Sequence, residues 1–218
     1  MIAILDKEPT TYKGQFGDFT IGKSDRLEVI IYRGGLVLAA LSFAIATNLL
    51  VAKGEAALTW VTPLYALFSL GLGISLYTIH IYLKPLHRAL QAFWLIGTIC
   101  AIAIEIKADQ PLALYVYNHP LTLLGIGFTF AALTGIYFKE AFCFNRLETK
   151  ILTPIVPFLL LGHMSGLLSS SVEQVMLAIW TIGFTVFAGR KMIQELDPDI
   201  GDKSVFEYLK KQKEAKSA

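Results

Sequence analysis

Six apolar runs, parted by short charged stretches, constrain this chain more than any other feature. They lie at about 34–52 (GGLVLAALSFAIATNLLVA), 58–83, 88–105, 120–138, 151–168 and 173–189. Each is close to the roughly 20 apolar residues that a helix needs to cross about 30 Å of hydrocarbon. Charged residues make up only 17% of the chain, against about 25% in soluble domains. Mean hydropathy is +0.57. The expected fold is all-α: a polytopic membrane helix bundle of about six transmembrane helices. The last two runs are short, so one could be a re-entrant hairpin, and four crossings are the main rival count.

Charge placement favours six. With six crossings, every Lys and Arg except Lys53 and Lys107 falls on the face that carries both tails. Positively charged loops stay cytoplasmic, so both termini are expected there. A wrong count would scramble this separation. The expected organisation is a cytoplasmic N-tail with an interfacial helix start (1–33), the bundle (34–189) and a basic cytoplasmic C-tail (190–218). The first 33 residues hold no early apolar run, and a cleaved signal peptide is not expected.

Local signals mark the ends. Asp25 with Glu28 resembles a capping box, placing a helix start near Asp25. Pro120 suits a first helical turn. DPDIGD, residues 197–202, reads as a breaker, and Ser204 with Glu207 as a second capping box. Val205, Phe206 and Leu209 would form an apolar stripe beside the basic Lys210, Lys211, Lys213 and Lys216. This is either a helix on an anionic surface or partner, or a solvated tail.

Few residues carry chemistry. The chain has no HExxH, GxSxG, P-loop or Rossmann glycine pattern. Glu105, at the end of the third run, reads as an interfacial acid. Cys100 reads as a packed thiol and Cys143 as a surface thiol, with no metal-ligand spacing. His80, His87 and His119 fall near helix ends, facing water. His163 sits inside LLLGHMSGLLSS, flanked by Gly162 and Gly166 in GxxxG spacing, which permits close helix approach. It reads as a packing residue bonded to a backbone carbonyl or Asn48. The sharper alternative is an axial ligand to chlorophyll or haem. The stretch KEAFCFNRLETK, residues 139–150, reads either as a solvated hinge or as a partner-docking loop formed by Glu140, Phe142, Phe144, Asn145, Arg146 and Glu148. The second and fifth runs are both interrupted, by Pro63, Gly71 and Gly73 and by Pro154, Pro157, Gly162 and Gly166. Matched broken helices point weakly to a transporter.

EAFCFNRLE, residues 140–148, and the Gly162–His163 step resemble a family of multi-pass integral membrane proteins of cyanobacteria and plastids. The resemblance covers about residues 25–195. It implies a thylakoid location and an auxiliary role in photosystem II assembly. The partners would be the lipid bilayer and reaction-centre subunits or other assembly factors, and the pigments within reach would be chlorophyll and carotenoid. No catalytic motif is carried over. Glu140, Asn145 and Arg146 depart from the spacing of the light-harvesting pigment helix, so that binding mode is not expected. The reading is a non-enzymatic membrane scaffold. The alternative is a small multi-pass transporter or channel, and a membrane enzyme is the third class. Nucleic acid is excluded as a partner, because the basic charge follows one membrane face.

Overall fold

A computed structural model describes residues 8–217, with the side chains of Glu207, Lys213, Lys216 and Ser217 outside the described set. The chain is overwhelmingly helical, as expected, with one addition. Residues ahead of the first helix form a hairpin of β1 (Thr10–Gly14) and β2 (Gly17–Ile21), antiparallel with Gly14 opposite Gly17. Six long helices follow: α1 (Lys23–Lys53), α2 (Leu58–Thr78), α3 (Lys84–Lys107), α5 (Leu123–Phe144), α6 (Leu147–Met164) and α7 (Ser170–Ile193). The short α4 (Leu112–Asn118) links α3 to α5, and α8 (Asp197–Ile200) and α9 (Ser204–Ser217) complete the C-tail.

Consecutive long helices pack antiparallel, and α7 returns to α1 to close the ring. One close crossing joins α1 and α2. A Cβ on Gly35 would stand 2.5 Å from the Gly71 carbonyl oxygen, and one on Gly71 would stand 2.6 Å from that of Gly35. Ser75 Oγ donates to the Tyr32 carbonyl at 2.9 Å across this contact. In lipid, helix association rests on such close packing and interhelical hydrogen bonds, because lipid tails are as apolar as the side chains. On α3, Gly97 lies against Thr129 of α5, and Trp94 donates to the Ser69 carbonyl of α2 at 2.8 Å. Leu152 of α6 covers Gly183 of α7. A hydroxyl pair, Thr181 to Thr47 at 3.2 Å, ties α7 to α1.

Four segments among the described residues are long and apolar enough to cross a membrane: Lys23–Thr78, Lys84–Lys107, Pro120–Phe144 and Ser170–Ile193. The first is the α1/α2 hairpin, bent by a tight turn at Gly54–Ala57. At 1.5 Å per residue, α1 alone is about 46 Å long. The remaining long helix, α6, opens on a charged turn with Glu148 and Lys150.

Several boundaries differ from the sequence expectation. The first helix begins at Lys23 with Gly22 as its cap. Asp25 is the third helical residue and accepts from the Gly22 N–H at 2.8 Å, so the Asp25–Glu28 box is displaced. The run 58–83 stops as helix at Thr78. The fourth run continues to Phe144, and the fifth is helical over 147–164. Neither α2 nor α6 is broken. Pro63, Pro154 and Pro157 sit inside continuous helices, where α2 and α6 pack closely against neighbouring helices. Gly71 and Gly73 make room for neighbours, the latter for the Trp94 ring at 2.4 Å from a Cβ. The Ser204–Glu207 box involves the Glu207 side chain, which lies outside the described residues. Ser204 itself donates to Asp202 at 2.6 Å and accepts from the Phe16 N–H at 3.1 Å.

Candidate functional site

The tails, the link 79–83 and the Asn145–Arg146 turn meet at one end of the bundle. The breaker DPDIGD organises that end. Pro198 lies in the first positions of the single turn of α8, and Gly201, at φ 72, turns the chain out of it. Asp197 accepts from the Tyr12 hydroxyl at 2.6 Å and faces the buried Arg26 at 3.5 Å. The Tyr12 phenol is pushed up, first by that hydrogen bond. Asp202 accepts from the Gln15 N–H at 2.7 Å, capping the β-hairpin turn. Its carboxyl is held below the usual range, first by the Ser204 hydroxyl. Lys203 donates to both Asp25 oxygens, at 2.8 and 2.9 Å. Aromatic contacts extend the clasp: Phe16 stacks on Tyr208 at 4.0 Å, and Phe206 packs on Tyr82 at 4.9 Å.

Beneath this cap lies a buried charge cluster. Asp199 is 5% exposed. Its Oδ2 accepts from Arg33 Nε at 2.9 Å and Nη2 at 2.7 Å, and its Oδ1 accepts from Lys191 Nζ. Lys191 also pairs with Glu140 Oε2 at 2.6 Å. Glu140, fully buried, takes Lys139 Nζ at 2.9 Å and the Tyr32 hydroxyl at 3.2 Å on its other oxygen. The Phe144 ring supports both lysines, with Lys191 at 4.2 Å and Lys139 at 5.3 Å from its centroid. Arg33 further donates to the carbonyls of Gln194 and Glu195. One chain end thereby bonds α1, α5 and α7 together.

This arrangement places the residues of the docking-loop reading. Residues 139–144 are the last turns of α5, and Glu140 belongs to the interior. Phe144 shelves the lysines. Asn145, left-handed at φ 53, ends α5 and accepts from Lys150. Arg146 donates to Gln194 at 3.0 Å, and Glu148 accepts from Arg190 at 3.1 Å. Of the six residues, Phe142, 84% exposed, and Asn145 stand at the surface. Arg33, Lys191 and Asp199 were missed as a site. Their signal was a density of acids in the tail and lone cations flanking apolar runs, with partners more than 160 residues apart along the chain for Arg33.

His80 is also less open than expected. Its side chain is 11% exposed, with Nε2 3.2 Å from Glu28. Burial pushes this imidazole down, outweighing Glu28.

His163 lies at the opposite end, on the last turn of α6. Its Nδ1 is 2.7 Å from Glu173 of α7, and its Nε2 is 3.2 Å from the Tyr117 carbonyl of α4. Both neighbours are acceptors, and a neutral imidazole donates to one of them at a time. Asn48 is not the partner, since its amide donates to Ala44 within α1. The GxxxG spacing serves a helix stop. Gly166, at φ 67, lets its N–H reach the His163 carbonyl at 3.0 Å and lets Leu167 N–H reach that of Gly162 at 3.0 Å, a Schellman arrangement. Gly162 packs on Leu168 of the same turn rather than on a second helix. Glu105 is exposed near Asp109. Cys100 touches Gly125, and Cys143 is exposed. Among the described residues, no three His, Cys, Asp or Glu side chains are placed to hold a metal ion.

A family model described as uncharacterized integral membrane protein (DUF2301) matches residues 74–208. The chain belongs to this family. It is an integral membrane protein. The matched segment holds Lys139, Glu140, Lys191 and Asp199 of the cluster, and the hairpin, Tyr32 and Arg33 precede it. Searches of curated proteins and of solved structures return no match.

Proposed function

We propose that this family member is a non-enzymatic scaffold of the cyanobacterial thylakoid membrane, an auxiliary factor in photosystem II assembly. Its six long helices cross the bilayer, and both termini lie in the cytoplasm. The observation that carries the scaffold reading is the cap. Both tails are folded onto the bundle end by the Asp197, Asp199, Asp202 and Lys203 contacts, so the polar face is pre-shaped before any partner arrives. A pre-ordered surface loses less entropy on binding. Lys210 and Lys211 of α9 stand exposed on it, and Phe142 is an apolar anchor at the end of α5. The resemblance of EAFCFNRLE supports the thylakoid setting and the choice of partner. The transporter reading rested on broken second and fifth helices, and α2 and α6 run continuously.

The test is gentle detergent extraction of the tagged protein from its native membrane, with an absorption spectrum and subunit identification. Co-purifying reaction-centre subunits support the scaffold. Chlorophyll bands would show pigment within the complex, and His163→Leu would then tell whether this side chain holds it. A colourless protein without partners sinks the assembly role.

A further inference from the structure

A cavity of about 760 Å³ occupies the half of the bundle remote from the tails. It falls within the 300–1,000 Å³ of small-molecule sites. Its lining positions run from Leu58 to Phe68 along α2, about 15 Å of helix rise. The walls are apolar, with Leu50, Val61, Leu64 and Leu177 among them, and Phe43, Phe68 and Phe130 close the deep end. Behind that floor Trp180 stands 4.5 Å from the Phe43 ring. The shallow end is polar and acidic, carrying Glu55, Ser170, Gln174 and the His163–Glu173 pair.

From these features we infer that the cavity is a binding site for a long-chain amphiphile with an uncharged polar head. The slot is elongated and its walls are apolar, which suits an aliphatic chain. The head would sit at the rim, where the Ser170 hydroxyl and Gln174 amide can hydrogen-bond to it. Two carboxylates, Glu55 and Glu173, lie on this lining, the latter paired with His163, so an anionic head is repelled. The occupant has two conceivable sources: a bilayer glycerolipid, or a separate long-chain alcohol or isoprenoid of the same chemistry. This inference is independent of the scaffold role, because the cavity lies at the opposite end from the cap.

The test uses the full chain in lipid nanodiscs, with Trp60→Phe and Trp94→Phe leaving Trp180 as the reporter. Dibrominated octadecanol is the probe and dibrominated octadecanoate the anionic counter-probe. Bromine quenches tryptophan at contact range, so saturable quenching of Trp180 by the alcohol is expected, with the carboxylate about tenfold weaker. Ala46→Phe on α1 and Ala113→Phe on α4 each fill the slot, and each should raise the half-saturation point about tenfold. The two fillers lie on different helices, so one misfolded variant does not decide the outcome. Linear quenching without saturation, quenching unchanged by both fillers, or equal binding of the carboxylate overturns the inference. Mass spectrometry of an organic extract of the native protein separates the sources. One stoichiometric glycerolipid, or one stoichiometric long-chain alcohol, supports the site, and an extract with neither overturns native occupancy.

Discussion

Asp199 illustrates how much one side chain can hold. It is the shared anion of Arg33 and Lys191, both almost fully buried. A buried ion cluster is weak evidence of net stabilisation, since desolvation opposes it, but removing one partner strands the rest. Asp199→Ala should therefore lower stability by about 3–5 kcal/mol, read as chemical denaturation in micelles. In a double-mutant cycle, Lys191→Met should recover part of that loss. Strict additivity would mean the two groups do not interact. His80 gives a pH signature. Its folded imidazole is pushed down by burial, with Glu28 and Asp25 opposing and Lys139 and Lys203 assisting. The folded state thus favours the neutral ring. The associated stability is present above the unfolded value of about 6.5 and is lost as pH falls below it. Melting temperature should drop between pH 7 and pH 5.5, and the drop should shrink in His80→Asn.

Among the elements, the α1/α2 hairpin has little room to spare. Gly35 and Gly71 meet backbone to backbone, whereas a Cβ on the adjacent Gly34 has nothing within 4 Å. Gly35→Ala should cost about 1–3 kcal/mol through forced separation of the helices. Gly34→Ala, at the next position, should be neutral or mildly stabilising, because glycine is a poor helix former. Equal effects of the two on thermal unfolding would show that the close approach is not what holds the pair. The end of α6 depends on a different property of glycine. Gly166→Ala puts a Cβ into a left-handed conformation, at roughly 1–2 kcal/mol, and should fray the turn that holds His163 against Glu173. Loss of protection at Ser165 and Leu167 amides would report it by hydrogen exchange.

At the scale of the molecule, the two ends of the bundle differ in charge, and the proposed cytoplasmic orientation of the tails is tested by labelling. Cys143 is exposed at the tail end, and Cys100 is half-buried within α3 against Gly125. A membrane-impermeant maleimide should label Cys143 from the cytoplasmic side only, and a Cys introduced at Asp109 in Cys143→Ser from the other side. The reverse pattern would invert the proposed orientation. The bundle was legible in the sequence because hydrophobic length is a local property. A run of about 20 apolar residues has one economical structure in hydrocarbon, and charge between runs sorts their ends. That reasoning found all six long helices and placed Lys53 and Lys107 apart from the other cations. It did not extend to the tails, where short polar segments have no such periodicity. DPDIGD reads as a breaker because many partners of its acids lie far along the chain, Tyr12, Gln15, Arg26 and Arg33 among them. Asp199 meets Arg33 only when α7 is brought back onto α1. For the same reason, GxxxG around His163 could not be told apart from a helix-packing motif. Spacing is a local feature, and whether Gly166 faces a helix or ends one is decided by backbone dihedrals. Sequence alone therefore determined that this chain is a membrane helix bundle with two unlike ends. Only the tertiary structure decided which charges are interior, where the cavity lies and what His163 touches, because those depend on contacts between segments far apart in the chain.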